Sequence, residues 1–412
     1  MVSLDNPETL PVSLDDVKQA HKRIKNAIVR TPTLYSRTLS DLTGAGIWLK
    51  FENLQFTASY KERGALNKLL SLDQKSRERG VIAASAGNHA QGLAYHGNRL
   101  DIPVTIVMPE HTPTVKVEQT RGHGAKIVLY GEQFDESLAH ALKLAEQDDL
   151  TFVHPFNDPA IIAGQGTVAL EMLEDAPAID TLVVPVGGGG LISGCATVAK
   201  NMDRPLDVLG AEAELYPSMY NYIKGKNLPC GGDTLAEGIA VQVPGTITRR
   251  FVKMLVDDLL LVNETDLEHA LSLIVQIEKT IVEGAGAACL GAVLSHPERF
   301  QGRQVGIIFS GGNIDTRLLA NVLLRDLARS GRLARLRVRM KDQAGQLYKV
   351  AKVFHDQQVN IMEVSHQRIF TTLPAKGLCA DIECETRDQA HLDRLIAALR
   401  DVGYGVTVVE PA

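Results

Sequence analysis

The chain has 412 residues, 45% of them hydrophobic and 22% charged, and a net charge of −6. That length suggests two or three domains at roughly 150 residues each, and the composition is that of a globular chain. The acidic balance argues against a dedicated nucleic-acid binder.

The N-terminus lacks a basic start followed by an apolar core, so no secretory signal is expected. Ser13 and Asp16 form a capping-box pattern, and Val17, Ala20, Ile24 and Ala27 follow at helical spacing, which predicts a first helix. Apolar runs at residues 81–84, 103–108, 125–129, 182–186, 208–210 and 305–309 read as strands. Helical patterns, for example over 89–100 and 136–147, lie between them. Strands apolar on both faces and separated by helices predict an α/β fold with parallel sheets covered on both sides. The most apolar long stretch, residues 181–199, contains Pro185 and four consecutive glycines, and reads as strand, loop and helix rather than a membrane span.

After Arg329 the pattern changes. Arg335, Arg337, Arg339 and Lys341 alternate with Leu336, Val338 and Met340, as in a strand with one solvated, charged face. A helix pattern follows (Leu347, Val350, Ala351, Phe354), then strands at 361–368 and 377–385. Leu392, Leu395, Ile396 and Leu399 predict another helix, and 406–409 a last strand. This βαββαβ order over about 80 residues is the ferredoxin-like arrangement. The segment Arg329-Ser330-Gly331-Arg332 serves as linker, giving a first domain over 1–330 and a second over 334–412.

Five cysteines (Cys195, Cys230, Cys289, Cys379, Cys384) form no Cys-x-x-Cys pair, and free buried thiols in a reducing cytoplasm are expected. Twelve histidines show no His-x-x-x-His spacing, and no metal site is expected.

Three turns after strands bear chemistry: Ser85 to His89, Gly187 to Leu191 and Ser310 to Asn313. Ligands in open α/β sheets sit at the carboxyl ends of strands, so the three can share one crevice. The run Gly187-Gly188-Gly189-Gly190-Leu191 precedes a helix pattern; backbone N–H groups there can cradle a phosphate without a lysine. It matches neither the dinucleotide fingerprint nor the P-loop. Lys61, in Ser59-Tyr60-Lys61-Glu62-Arg63-Gly64-Ala65, stands at a turn into a helix pattern, where an amine can condense with an aldehyde and then serve as a base.

Lys61 in this context, Ser85-Ala86-Gly87-Asn88-His89-Ala90-Gln91-Gly92, the glycine run and Ser310-Gly311-Gly312-Asn313 occur in this order and resemble the fold type II pyridoxal phosphate (PLP) enzymes. Ile162-Ala163-Gly164-Gln165-Gly166-Thr167 and Glu283-Gly284-Ala285-Gly286-Ala287 resemble the threonine ammonia-lyases (threonine dehydratases) among them. The resemblance covers about residues 10–325 and implies a two-lobed catalytic domain whose small lobe spans roughly 53–155. Within it Lys61 would carry PLP as a Schiff base and act as the catalytic base. Gly187, Gly188, Gly189, Gly190 and Leu191 would bind the phosphate, Asn88 the phenolic oxygen and Ser310 the ring nitrogen, with Glu283 near the cofactor. Ser85, Ala86, Gly87, Asn88 and His89 would bind the substrate carboxylate. The implied reaction is α,β-elimination from threonine or serine, giving 2-oxobutanoate or pyruvate and ammonia.

Alternatives are a lyase for another β-hydroxy amino acid, such as threo-3-hydroxyaspartate or a phenylserine, and a serine racemase. The related racemases carry a second serine where this chain has Ala86, which disfavours racemisation. They also bind a cation through carboxylates; Glu212 matches one ligand, but the partner position is Ser218, and Glu212 and Glu214 read as solvated loop carboxylates.

Residues 334–412 resemble an ACT domain through the βαββαβ order and Asp342-Gln343-Ala344-Gly345-Gln346-Leu347. That resemblance implies an amino-acid effector site at Asp342, Gly345, Gln346 and Leu347, with isoleucine or valine as effectors, or else a role in assembly alone. A cytoplasmic homodimer or homotetramer, possessing no membrane or nucleic-acid partner, is expected.

Overall fold

A computed structural model describes residues 9–367 and 377–409. The N-terminal start and the end of the strand expected at 361–368, Arg368, lie outside the described residues. Contacts divide the chain into two compact units, Met1–Ile314 and Asp315–Ala412.

The first helix runs Leu14–Ile24 and opens on the expected capping box: Ser13 N donates to Asp16 Oδ2 (2.8 Å), and Asp16 N donates to Ser13 Oγ (3.3 Å). Val17, Ala20 and Ile24 are buried.

Among the described residues the first unit holds ten strands: β1 (Thr33–Ser36), β2 (Gly46–Lys50), β3 (Val81–Ala84), β4 (Val104–Met108), β5 (Lys126–Leu129), β6 (Thr151–Phe152), β7 (Thr181–Pro185), β8 (Asp207–Ala213), β9 (Asp258–Val262) and β10 (Gln304–Ile308). One sheet has the order β1-β2-β10-β7-β8-β9, parallel except for the β1–β2 pair. The other, β5-β4-β3-β6, is wholly parallel. Each strand expected from an apolar run is present within a few residues of its expected bounds. Strands β3 and β7 are buried along their whole length, as helices on both faces require.

Three helices meet where the sequence supplies glycine. Helix Pro159–Asp175 is apolar nearly all round and starts on Asp158, whose Oδ1 accepts from Ala160 N at 2.7 Å. A methyl on Gly164 would lie 2.7 Å from the Arg63 carbonyl, and one on Gly194 would lie 2.4 Å from the Ile162 carbonyl. The Gly164-Gln165-Gly166 segment thus lets helix Pro159–Asp175 approach helices Lys61–Ser71 and Gly190–Ala199 closely, and Gln165 Oε1 accepts from Gly64 N at 3.2 Å. Its work is to set helix spacing around the site.

The second unit carries helix Thr316–Arg329, then β11 (Leu333–Lys341), helix Gln346–Asp356, β12 (Asn360–Gln367), β13 (Gly377–Glu385), helix Gln389–Asp401 and β14 (Gly405–Val408). The sheet order β12-β13-β11-β14, antiparallel throughout, is the expected ferredoxin-like topology. Leu336, Val338 and Met340 point into its core with Val350, Phe354, Ile382 and Leu395. On the other face Arg335 pairs with Glu383, and Arg337 grips Asp381 through two 2.7 Å hydrogen bonds. No helix among the described residues is long and apolar enough to cross a membrane. All five cysteines are free; Cys230 is half-buried and the others are buried.

Candidate active site

Lys61 is the first residue of helix Lys61–Ser71. The segment before it is held by the turn after β10: Tyr60 N donates to the Ser310 carbonyl (3.1 Å), Asn53 N to that of Phe309 (2.9 Å), and Ser59 bridges Gly311. Ala58 adopts φ +53°, a left-handed conformation costly for a residue with a Cβ, and its carbonyl accepts from Gly312 N at 2.9 Å. The backbone at Lys61 and that at Ser310 are therefore one hydrogen-bonded unit.

Behind Lys61 lies a closed network of buried charges. Arg63 donates to both oxygens of Glu52 (2.7 and 2.8 Å) and both of Glu171 (2.9 and 2.8 Å). Lys50 Nζ donates to Glu171 (2.9 Å) and to the Thr31 carbonyl (2.7 Å). Two cations and two carboxylates balance, and Thr31 Oγ1 and Gln55 Nε2 donate to Glu52 as well. Such a network is rigid when complete and costly when broken.

The Lys61 amine is half-buried and donates to the Pro155 carbonyl at 3.0 Å. Burial lowers its pKa to about 8, against the attraction of Glu283. Lys61 shares a cavity with Tyr60, Phe156, Ile239 and the whole of Gly187 to Leu191. Each glycine of that run has a steric reason. A methyl on Gly188 would lie 2.3 Å from the Phe156 ring, one on Gly187 would lie 2.9 Å from Ile239 Cα, and Gly189 adopts φ +88°. Gly189 caps helix Gly190–Ala199. Among the described residues the N–H groups of Gly187, Gly188 and Gly189 have no acceptor. Unpaired buried N–H groups at a helix N-terminus attract an anion.

The turn after β3 leads into helix Asn88–Arg99, which packs on the Lys61 helix: a methyl on Gly92 would stand 3.2 Å from Glu62 N. Ser85 Oγ accepts from Gly87 N (3.3 Å), and nothing lies within 4 Å of where a Gly87 methyl would sit. Asn88 Nδ2 donates to Glu283 Oε1 at 2.7 Å. Burial pushes Glu283 up to about 7, offset by that hydrogen bond. His89 is buried, its Nε2 lies 3.0 Å from the Val153 carbonyl, and burial next to Lys61 holds it at about 3. His89 is thus neutral, with its side chain turned to the protein. His154 is likewise held down at about 4 by burial and Lys61, while its Nδ1 accepts from Asn157 N at 3.0 Å. Ser310 is buried.

Of the three turns, Gly187 to Leu191 lines the cavity with Lys61, the Ser310 turn binds the backbone before Lys61, and Asn88 is joined to that turn through Asn313. Phe156 and Ile239, which complete the cavity, and Pro155, whose carbonyl accepts from Lys61, belong to no motif in the sequence; β6, the strand before Phe156, has only two residues and gives no periodic signal. Glu212 corrects the expectation of a solvated carboxylate. It is buried, accepts from Met219 N and Tyr220 N at 2.8 Å each, and burial raises its pKa to about 7; Glu214 is exposed. Those N–H groups start helix Ser218–Lys224, so Glu212 serves that helix start. Among the described residues no three His, Cys, Asp or Glu side chains converge as metal ligands. In the second unit Asp342, Gly345 and Leu347 are exposed; Gly345 adopts φ +85° at the start of helix Gln346–Asp356, and Gln346 Oε1 accepts from Tyr404 Oη at 3.2 Å.

Residues 24–311 match the family model described as pyridoxal-phosphate dependent enzyme. An L-threonine ammonia-lyase of Thermotoga maritima is 41% identical over 400 residues, covering 97% of this chain and all of that protein. The processed form of threonine deaminase isoform 2 from Solanum lycopersicum superposes with a TM-score of 0.70 at 34% identity, covering 77% of this chain and 92% of that one. Serine racemase from Dictyostelium discoideum does so with a TM-score of 0.69 at 36% identity, covering 74% and 99%. The matched segment contains Lys61, the turns at Ser85 to His89 and Gly187 to Leu191, Ser310, and both sheets of the first unit, and the chain belongs to the pyridoxal-phosphate dependent enzymes.

Proposed function

We propose that the chain is a threonine ammonia-lyase, also active on serine, with Lys61 as its catalytic residue. The observation that carries this reading is the shared cavity: the Lys61 amine and the glycine run with its unpaired N–H groups face one space. These residues fit pyridoxal phosphate. The N–H groups of Gly187, Gly188, Gly189, Gly190 and Leu191 would hold its phosphate, and Lys61, an amine whose pKa is already lowered to about 8, would hold its aldehyde carbon. Asn88, itself bound to Glu283, would donate to the phenolic oxygen, and Ser310 would meet the ring nitrogen. When bound, the cofactor supplies the electron-withdrawing ring that acidifies the substrate Cα–H.

The protein's own groups do the rest. Ser85 Oγ and the N–H groups of Ala86, Gly87, Asn88 and His89 hold the substrate carboxylate in the open space at Gly87. Lys61 accepts the Cα proton and returns it to the departing β-hydroxyl, which leaves as water. The released enamine hydrolyses to 2-oxobutanoate and ammonia. Ala86 offers no hydroxyl to return a proton from the opposite face, which favours elimination over racemisation. The second unit acts as an ACT domain, in a homo-oligomer of a cytoplasmic enzyme, taking an amino-acid effector at Asp342, Gly345, Gln346 and Leu347; its ferredoxin-like topology and the exposed turn at Gly345 support that reading.

The test is 2-oxo acid release from a panel of L-threonine, L-serine, threo-3-hydroxyaspartate and phenylserine. Threonine should give the highest kcat/KM. No product from threonine and serine, with turnover of a bulkier or acidic hydroxy amino acid, would replace this reading. Loading of cofactor-free protein has a pH signature. Only the neutral amine attacks an aldehyde, so the capture rate of pyridoxal phosphate should rise with pH and level off above about 8. A rate flat between pH 6 and pH 9, values bracketing that pKa by roughly one to two units, would contradict the assignment of Lys61 as the attacking amine.

A further inference from the structure

Asn313 closes the Ser310-Gly311-Gly312-Asn313 turn, and the reaction as derived gives it no task. Its Nδ2 lies 2.9 Å from the Thr57 carbonyl and 2.6 Å from Asn88 Oδ1. A backbone carbonyl only accepts, so the Asn313 atom facing Thr57 is the amide nitrogen. That nitrogen has two hydrogens; one goes to Thr57 and the other to Asn88. The Asn88 atom facing Asn313 must therefore be its oxygen. Asn88 Nδ2 is then turned the other way, where it donates one hydrogen to Glu283 Oε1 at 2.7 Å and keeps one over. The reverse orientation of Asn88 would set two amide NH2 groups 2.6 Å apart and an amide oxygen against a carboxyl oxygen.

The anchor is itself fixed. Thr57 N donates to Glu62 Oε1, one residue beyond Lys61, and Gly312 N is bound to the Ala58 carbonyl. Gly311 brings this backbone so close that a methyl there would lie 2.6 Å from Glu283 Oε1 and 3.1 Å from Asn88 Nδ2.

We propose that Asn313 is a positioning residue that fixes which way the Asn88 amide points, so that a donor, never an acceptor, faces the phenolic oxygen of the cofactor. The inference rests on the reading of Asn88 as the partner of that oxygen. Swapping the donor for an acceptor of the same shape, Asn313→Asp, should invite Asn88 to turn its NH2 group toward residue 313 and its oxygen toward the cofactor.

The experiment is a double-mutant cycle on the dissociation constant of pyridoxal phosphate for the full-length protein, read by its visible absorbance, with Asn313→Asp, Asn88→Ala and the double variant. Asn313→Asp should weaken binding by about tenfold, the worth of one hydrogen bond to a charged group. In the Asn88→Ala background the same change should cost less than about twofold, because Asn313 acts through Asn88. The pH at which the bound cofactor's band titrates should shift in Asn313→Asp and stay as in Asn88→Ala in the double variant. Circular dichroism of the cofactor-free variants controls for folding, and Asn313→Ala, with the same non-additivity, replaces Asn313→Asp if the aspartate unfolds the protein. An equal loss in both backgrounds, or unchanged binding in Asn313→Asp, overturns the proposal. Wild-type protein that binds no cofactor, or an Asn88→Ala variant that binds like wild type, instead overturns the assignment on which it rests.

Discussion

Replacing Lys61 by alanine should lower kcat for 2-oxobutanoate release by at least about a thousandfold, since it removes both the covalent anchor and the proton acceptor. Lys61→Arg should be equally inactive. A guanidinium stays protonated at any working pH, so it neither condenses with an aldehyde nor takes a proton. Neither variant should disturb the fold, because the only hydrogen bond of the Lys61 amine among the described residues is to the Pro155 carbonyl. Circular dichroism matching wild type, together with the lost turnover, is the expected pair of results. Lys61→Ala retaining a tenth of wild-type activity, a threshold far above roughly thousandfold loss, would remove Lys61 from the chemistry.

The second large effect is on stability. Arg63→Met should destabilise the first unit by roughly 3–5 kcal/mol, because it removes the cation that pairs with both Glu52 and Glu171 in the core. The urea midpoint of unfolding reports it, and an unchanged midpoint would contradict the network's importance. The network also has a pH signature. Glu171 is destabilised as an anion by burial, but Arg63 and Lys50 overcome that and hold its pKa at about 2, below its ordinary value of 4.5. A lowered pKa in the folded protein means that the stabilisation is present above about pH 4.5 and lost as pH falls through about 2. Arg63→Met should shrink that contribution to the part that Lys50 supplies.

What the sequence discloses about this site follows from physical necessity. Glycines that must curl a backbone toward an anion have to be adjacent, so Gly187 to Gly190 are visible as a run. A lysine that anchors a cofactor stands among small and glycine residues that let helices close on it, so the context of Lys61 is visible too. The charges behind it are not. Glu52 is 11 positions from Arg63, but Glu171 is 108 positions away, and a glutamate in a largely apolar helix gives no hint of a partner at that distance. Glu212 misleads in a related way: it stands near the end of β8 beside the exposed Glu214, yet it is buried, with Met219 N and Tyr220 N donating to its carboxylate.

The fold shows a similar division. Buried parallel strands such as β3, β7 and β10 are legible as apolar runs bounded by turns. Strands β1, β2, β6 and β9 escape. β1 exposes Leu34 and Tyr35, β2 ends in the buried Lys50, and β6 is two residues long. β9 is an apolar run followed directly by helix Glu264–Leu273, where periodicity does not separate strand from buried helix. The second unit is the more legible one. Its sheet has one face to the core and one to solvent, so Arg335, Arg337 and Arg339 alternate with Leu336, Val338 and Met340, and the pattern itself assigns the strand.

The identity of the residue that holds the cofactor is the point on which every other role depends. Reduction of the purified, cofactor-loaded protein with borohydride, followed by proteolysis and mass mapping, tests it directly. The expected result is a single peptide carrying the reduced cofactor, with the added mass on Lys61. Cofactor fixed to a different lysine, or none fixed while the protein still releases 2-oxobutanoate from threonine, would contradict it.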